Sequence, residues 1–231
     1  MYYKSIAGIS SMQEMTRTFN DEKMCRNLYR FMGENVKEYM PHGVTENEFL
    51  ERLNPGELED IQQNIVYSMV RRKTFNSARV LKKWQVIVDA TQLDEGCQKK
   101  NEHYLSRCYN KGEPNEYMKY HRSILEGKIY FGDDLMCSIA SETIENSEEY
   151  INKSDEAVKQ DCESKAFVRL AAKIKAKFPR LPIIITADGL YVTQTVLQIC
   201  KDYHWDYIIR YKEGCASSIA KEYHALPEKE T

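Results

Sequence analysis

The first third of the chain repeats its apolar positions at helical spacing. Leu28, Phe31, Met32, Val36 and Tyr39 fall on one stripe, which Pro41 and Gly43 end. Thr45 and Glu48 form a capping box for a short helix carrying Phe49, Leu50 and Leu53. Asn54-Pro55 then supplies an N-cap with proline at the first helical position, ahead of Leu58, Ile61, Ile65 and Met69 on one face. Residues 71–83 follow with six basic side chains and no acid: Arg71, Arg72, Lys73, Arg79, Lys82 and Lys83. This run reads either as a solvated linker face or as a phosphate-contacting segment.

The period changes at Trp84. The β-branched run Trp84–Gln92 predicts a buried strand that carries one carboxylate, Asp89, and a loop-like region over about 94–116 follows it. His121–Phe131 and Leu135–Ile144 flank the turn Gly132-Asp133-Asp134 and predict a hairpin, with an acidic, polar connection over about 145–156. Strand and helix then alternate. Phe167, Leu170, Ala171, Ile174 and Phe178 share a helical face that Pro179 ends, and Leu181–Asp188 is a second buried strand finishing in an aspartate. Val192, Val196, Ile199, Cys200 and Tyr203 stripe the next helix, and Trp205–Tyr211 is the last strand. Strand–helix–strand units force parallel pairing with right-handed crossovers, and a hairpin adds antiparallel partners. The expected product is α/β, a mixed sheet of about five strands with flanking helices, preceded by an N-terminal helical region.

Composition narrows the chemistry. The 231 residues include 33 Lys+Arg against 35 Asp+Glu, a net charge of −2, which excludes a uniformly basic DNA-coating protein but not local patches. With 42% apolar and 11% aromatic residues a substantial core is available. No apolar run reaches the roughly 18 residues of a membrane span, and Met1-Tyr2-Tyr3-Lys4 lacks the layout of a secretory signal, so the cytosol is the expected compartment. The seven cysteines (25, 97, 108, 137, 162, 200 and 215) form no Cys-x-x-Cys pair and read as reduced structural thiols. The histidines show no metal-ligand spacing, and no nucleophile elbow or glycine-rich phosphate loop is present.

Asp89 and Asp188 are the informative residues. Each ends a run of at least three β-branched or small apolar residues, in segments expected to be buried on both faces, where an ionised carboxylate is costly to desolvate. In open α/β sheets functional groups gather at the carboxyl ends of parallel strands. If the first and fourth strands are neighbours, the two carboxylates converge, and like charges at that range share a proton or bind a cation. A divalent ion with oxygen ligands, Mg²⁺ or Mn²⁺, satisfies them, and two such ions serve phosphodiester chemistry. The alternative is structural, since Asp188-Gly189 is also a turn dipeptide and an aspartate at a strand end is a routine N-cap.

Several segments in order resemble bacterial insertion-sequence transposases of the DDE type. They are Val88-Asp89-Ala90-Thr91, Ser141-Glu142-Thr143-Ile144-Glu145-Asn146, Lys159–Glu163, Phe178–Pro182, Thr186-Ala187-Asp188-Gly189-Leu190-Tyr191 and Tyr207–Gly214. The resemblance covers residues 25–214 and implies a ribonuclease H-like catalytic domain, with the first catalytic Asp on the first strand and the second just after the fourth. It implies Asp89 and Asp188 as catalytic residues and metal ligands for Mg²⁺ or Mn²⁺. The implied activity is hydrolysis at the element ends and strand transfer, with double-stranded DNA (terminal repeats and target) as partner. Arg71, Arg72 and Lys73 are the candidate DNA-binding residues, a homodimer is among the expected assemblies, and the location is bacterial cytoplasm, on the nucleoid when DNA is bound.

The family's third carboxylate is a Glu on a helix beyond the last strand, in a Tyr, Arg, Glu, Lys signature that 215–231 does not show; Glu213, Glu222, Glu228 and Glu230 sit on no apolar-striped helix. The expected organisation is therefore a tail (1–19), a helical region (20–83), an incomplete catalytic domain (84–214) and a polar tail (215–231). The chain reads as the N-terminal part of a transposase, or alternatively as a catalytically inactive DNA-binding regulator or decayed remnant. Glu163 is expected in the first turn of its helix, favoured by the dipole, Glu142 and Glu145 in solvent at a strand end, and the basic run 164–180 on a wet helix face or against DNA.

Overall fold

The computed structural model describes residues 8–40, 43–146, 160–210, 221–222 and 225. The chain divides into two compact units, residues 1–58 and 59–231. Residues 59–83 therefore fall in the same unit as the sheet, and the division comes earlier than the change of period at Trp84. The polar connection over 145–156 and the tail from 215 lie outside the described residues, apart from 145–146, 221–222 and 225.

The first unit holds α1 (Met12–Phe19), α2 (Glu22–Met32) and α3 (Gly43–Arg52). Ser11 caps α1 by accepting from the Glu14 N–H, and Asp21 caps α2 by accepting from the Met24 N–H. The 1–19 stretch, expected as a tail, thus contains a helix. Gly33, at φ 72°, ends α2 before Val36 and Tyr39 can join it. The buried face is consequently Cys25 and Tyr29, while Phe31 is 78% exposed, and the expected five-residue stripe does not form. Helix α3 starts at Gly43, two residues ahead of Thr45, so Thr45 lies inside the helix and not at its cap.

In the second unit, α4 (Pro55–Arg72) begins as expected, with Asn54 Oδ1 accepting from the Gly56 N–H. Its packed face differs from the expected one, of which only Met69 packs on the core. Leu58, Ile61 and Ile65 are exposed, and Gln63 and Val66 are buried. The cause is an edge strand with unpaired backbone groups. Gln63 donates to the Ile139 carbonyl at 3.0 Å, Glu59 accepts from the Ser141 N–H at 2.8 Å, and Asp60 pairs with Lys177. An edge satisfied by a covering helix cannot recruit another strand.

The sheet contains β1 (Trp84–Gly96), β2 (Leu105–Tyr109), β3 (Tyr117–Tyr130), β4 (Met136–Ile144), β5 (Ile183–Ala187) and β6 (Asp206–Ile209). Its order is β2-β3-β1-β5-β6, with β4 also on β3. β3 pairs antiparallel with β1, β2 and β4, whereas β5 is parallel to β1 and β6. The five expected strands form the mixed ribonuclease H-like sheet with flanking helices. A sixth, β2, together with the outer end of β1, occupies part of the region expected as loop. The hairpin turn matches the expectation, with Gly132, Asp133 and Asp134 all at positive φ. Helices α5 (Glu163–Lys177) and α6 (Gln194–Tyr203) complete the unit. Phe167, Leu170, Ala171, Ile174 and Phe178 enter the core together, as their spacing predicts. Gly127 on β3 lets α5 approach, because a Cβ there would stand 3.3 Å from Ile174 Cδ1. The six described cysteines are free thiols. No helix among the described residues is long and apolar enough to cross a membrane.

Candidate functional site at the carboxyl ends of the parallel strands

Asp89 lies where β1 leaves the covered part of the sheet. Trp84, Val86 and Val88 are buried, and Asp89 is the first exposed residue of the strand. The expected burial on both faces therefore fails at this position. The strand continues past the helical layer as a ribbon with β3, and the carboxylate faces solvent without the desolvation penalty. Asp188 follows β5 directly, is partly exposed, and caps the single 3-10 turn Gly189–Tyr191 through Oδ1, which accepts from the Leu190 N–H at 2.9 Å. The Asp89 Oδ1 likewise accepts from the Ala90 N–H at 3.0 Å. Each carboxylate is thus oriented by its own chain. The structural role anticipated for Asp188-Gly189 is present, and it does not displace the aspartate from the strand end.

The parallel register pairs Trp84 with Ile183 and runs to Ile87 with Thr186. Carried two places past its last pair, this register brings Asp89 level with Asp188. Asp188 sits at the carboxyl end of β5, where α/β sheets bind ligands, and Asp89 lies mid-strand, two residues past the last β1–β5 pair. Tyr191 links this edge to α5. Its ring is buried, and its hydroxyl donates to Glu163 Oε2 at 2.9 Å. Burial, and after it Glu163, Asp89 and Asp188, hold the phenol far above its ordinary range, so all three carboxylates act on one hydroxyl. Glu163 is in the first turn of α5, as expected.

The donor chemistry fits a hard cation. Mg²⁺ keeps several waters and is commonly held by one or two carboxylates plus substrate phosphates, and Asp89 with Asp188 supplies two. Among the described residues, no three Asp, Glu, His or Cys side chains come together in a way that could hold a metal ion.

The remaining candidates separate. Arg71 lies over the Tyr67 ring, 5.7 Å from its centroid, Arg72 lines a shallow groove with Ile61 and Ile65, and Lys73 faces a different cavity. Two of the α5 cations are engaged by carboxylates of the chain itself. Arg169 pairs with Glu142 at 2.9 Å and Asp161 at 2.7 Å, and Lys173 pairs with Glu142 at 2.8 Å and Glu59 at 3.2 Å. Glu142 is therefore not solvated at a strand end, because its side chain is only 11% exposed between two cations. The sequence reading missed the part played by Tyr191. The motif Asp188-Gly189-Leu190-Tyr191 contains it, but only the packing of α5 reveals its partner.

No protein-family model matches the chain, and no curated relative matches it. Among solved structures, it is similar to the Mos1 transposase paired-end complex with left transposon end, at 14% identity and a TM-score of 0.30, over 97% of this chain and 63% of that one. The Mos1 strand transfer complex gives 15% identity and a TM-score of 0.28, over 97% of this chain and 62% of that one. The chain spans less than two thirds of either Mos1 chain, and the fold class assigned here rests on its own strand order.

Proposed function

We propose that residues 84–210 form a phosphodiester-processing domain of a DNA transposase of the DDE type, related to the bacterial insertion-sequence enzymes, with Asp89 and Asp188 as its metal-holding pair. The observation that supports this reading is the parallel β1–β5 register, which, carried two residues past its last pair, brings Asp89 level with Asp188. The two carboxylates bind and are held in orientation by the Ala90 and Leu190 N–H groups. A divalent ion held there supplies Lewis-acid polarisation of a phosphodiester oxygen. Arg71, Arg72 and Lys73, at the end of α4, contact the DNA backbone in this reading, and their neutralisation lowers affinity and flattens its salt dependence.

Calorimetric titration with Mn²⁺ tests the site. Binding is lost in Asp89→Asn and in Asp188→Asn while thermal unfolding stays cooperative. Unchanged Mn²⁺ binding in both variants overturns the assignment. A second reading, a DNA-binding regulator without cleavage, is favoured by the lack of a third ligand side chain among the described residues. It predicts salt-sensitive DNA affinity with no nicking of DNA in Mn²⁺, and the same affinity in both Asn variants.

A further inference from the structure

A second cavity of the same unit lies at the other end of the sheet. It encloses about 710 Å³ and includes neither aspartate. Trp84, the first residue of β1, stands in its wall, and Asp89 lies five residues along the strand, about 17 Å away. The volume is that of a small-molecule site. Its charge is one-sided, since Lys73, Arg79, Lys177 and Arg180 line it and, among the described residues, no carboxylate does. Lys177 is already paired with Asp60 at 3.0 Å.

The other three cations are placed differently. Lys73 follows the end of α4 at a positive φ of 59°, and Arg180 is an exposed residue just before β5. Arg79 is the most constrained. Its guanidinium lies over the Trp84 ring, 5.8 Å from the centroid, and its buried Nε proton has no acceptor among the described residues. The buried Nε is out of a ligand's reach, so the terminal nitrogens of this guanidinium, set on an aromatic face, are the groups suited to a planar or phosphate anion. The wall also carries Tyr67, which is 45% exposed, its ring 6.4 Å from that of Phe178. Arg71 covers one face of the Tyr67 ring, 5.7 Å from its centroid, so a base stacks on the ring by displacing that guanidinium or by using the other face, whatever the base's identity.

We propose that this cavity binds a nucleoside monophosphate unit, with its phosphate on Arg79, Arg180 and Lys73 and its base against Tyr67. The unit is either a free nucleotide or the terminal residue of a nucleic acid strand. The site is independent of the aspartate pair, so the test is run in EDTA, where no metal contributes. Fluorescence-detected or calorimetric titration uses deoxyadenosine 5′-monophosphate, a 5′-phosphorylated single-stranded decamer, and inorganic phosphate. The nucleotide binds more tightly than inorganic phosphate, and Arg79→Gln and Arg180→Gln each weaken it roughly tenfold or more, as expected for a hydrogen bond to a charged group. Tyr67→Ala weakens the nucleotide but not inorganic phosphate. A decamer that binds more tightly than the mononucleotide and competes with it identifies a nucleic acid end as the source, and equal affinities identify a free nucleotide. Arg180 is exposed, so Arg180→Gln keeps the test readable if Arg79→Gln unfolds. Nucleotide binding no tighter than that of inorganic phosphate, affinity unchanged in Arg180→Gln, or no binding by any of the three overturns the proposal.

Discussion

Replacing Tyr191 by Phe removes one oxygen from a ring that is 1% exposed and leaves its packing against Phe167, 6.0 Å between centroids, in place. What is lost is the 2.9 Å hydrogen bond to Glu163. A hydrogen bond to a charged group contributes about 1.5–3 kcal/mol. Glu163 is partly exposed, so water re-solvates its carboxylate and the lower end applies, about 1.5 kcal/mol. For a chain of this size that is a fall in Tm of roughly 3–6 °C. Thermal unfolding followed by circular dichroism reads the shift, and urea unfolding at unchanged m separates it from a change in the denatured state. The pH dependence supplies a second measurement. Burial, then Glu163, Asp89 and Asp188, raise the folded-state pKa above the ordinary 10.0. The unfolded chain therefore ionises this tyrosine first as pH rises. The stabilisation is complete below about pH 10 and declines above it. The stability difference between wild type and Tyr191→Phe accordingly narrows above about pH 10. A Tm within about 1 °C of wild type, or parallel alkaline profiles for the two proteins, refutes the reasoning.

Gly127→Val places a branched side chain where a Cβ already meets Ile174 at 3.3 Å, Ile139 at 3.4 Å and Val86 at 3.5 Å, so chemical denaturation registers a loss of about 1–3 kcal/mol. Gly127→Ala is nearly neutral because the Ile174 δ-methyl can shift, and equal stability for Val and Gly contradicts the close-approach account. Glu142→Gln uncouples Arg169 and Lys173, whose side chains are 43% and 42% exposed, and after solvent screening it costs about 1 kcal/mol. Urea unfolding shows that cost shrinking in about 1 M salt, and a salt-independent loss would point to packing instead. Tyr104 first, then Lys100 and Arg122, hold the Asp94 carboxyl below its ordinary 3.8. Its stabilisation is present above that value and lost as pH falls through the lower folded-state one, so acid unfolding curves of wild type and Asp94→Asn converge below about pH 4.

The periodicity of α5, the turn at Gly132-Asp133-Asp134 and the β-branched runs of β1 and β5 were legible because each is a local pattern. A helix face that is wholly apolar, or a turn that requires positive φ, allows few alternatives. The position of Asp188 at a strand end was legible for the same reason. The buried face of α4 was not. Leu58, Ile61 and Ile65 point outward and Gln63 points in beside Val66, because the free backbone groups of β4 need hydrogen-bond partners, and that demand is set by a strand about 75 residues away. Glu142 offers a similar lesson, since its two cations come from a helix that its own segment does not mention.

By itself the sequence determined five of the six strands, the α5 and α6 helices, and the aspartate that follows β5. Tertiary structure alone decided that β1 and β5 are parallel neighbours, paired from Trp84–Ile183 to Ile87–Thr186, and that Glu163 reaches Tyr191. It also decided that a basic cavity opens at the opposite end of the sheet. The reason is range: hydrogen bonds within a turn or helix act over a few residues, whereas register, burial and charge pairing depend on chain segments brought together only by the packed core.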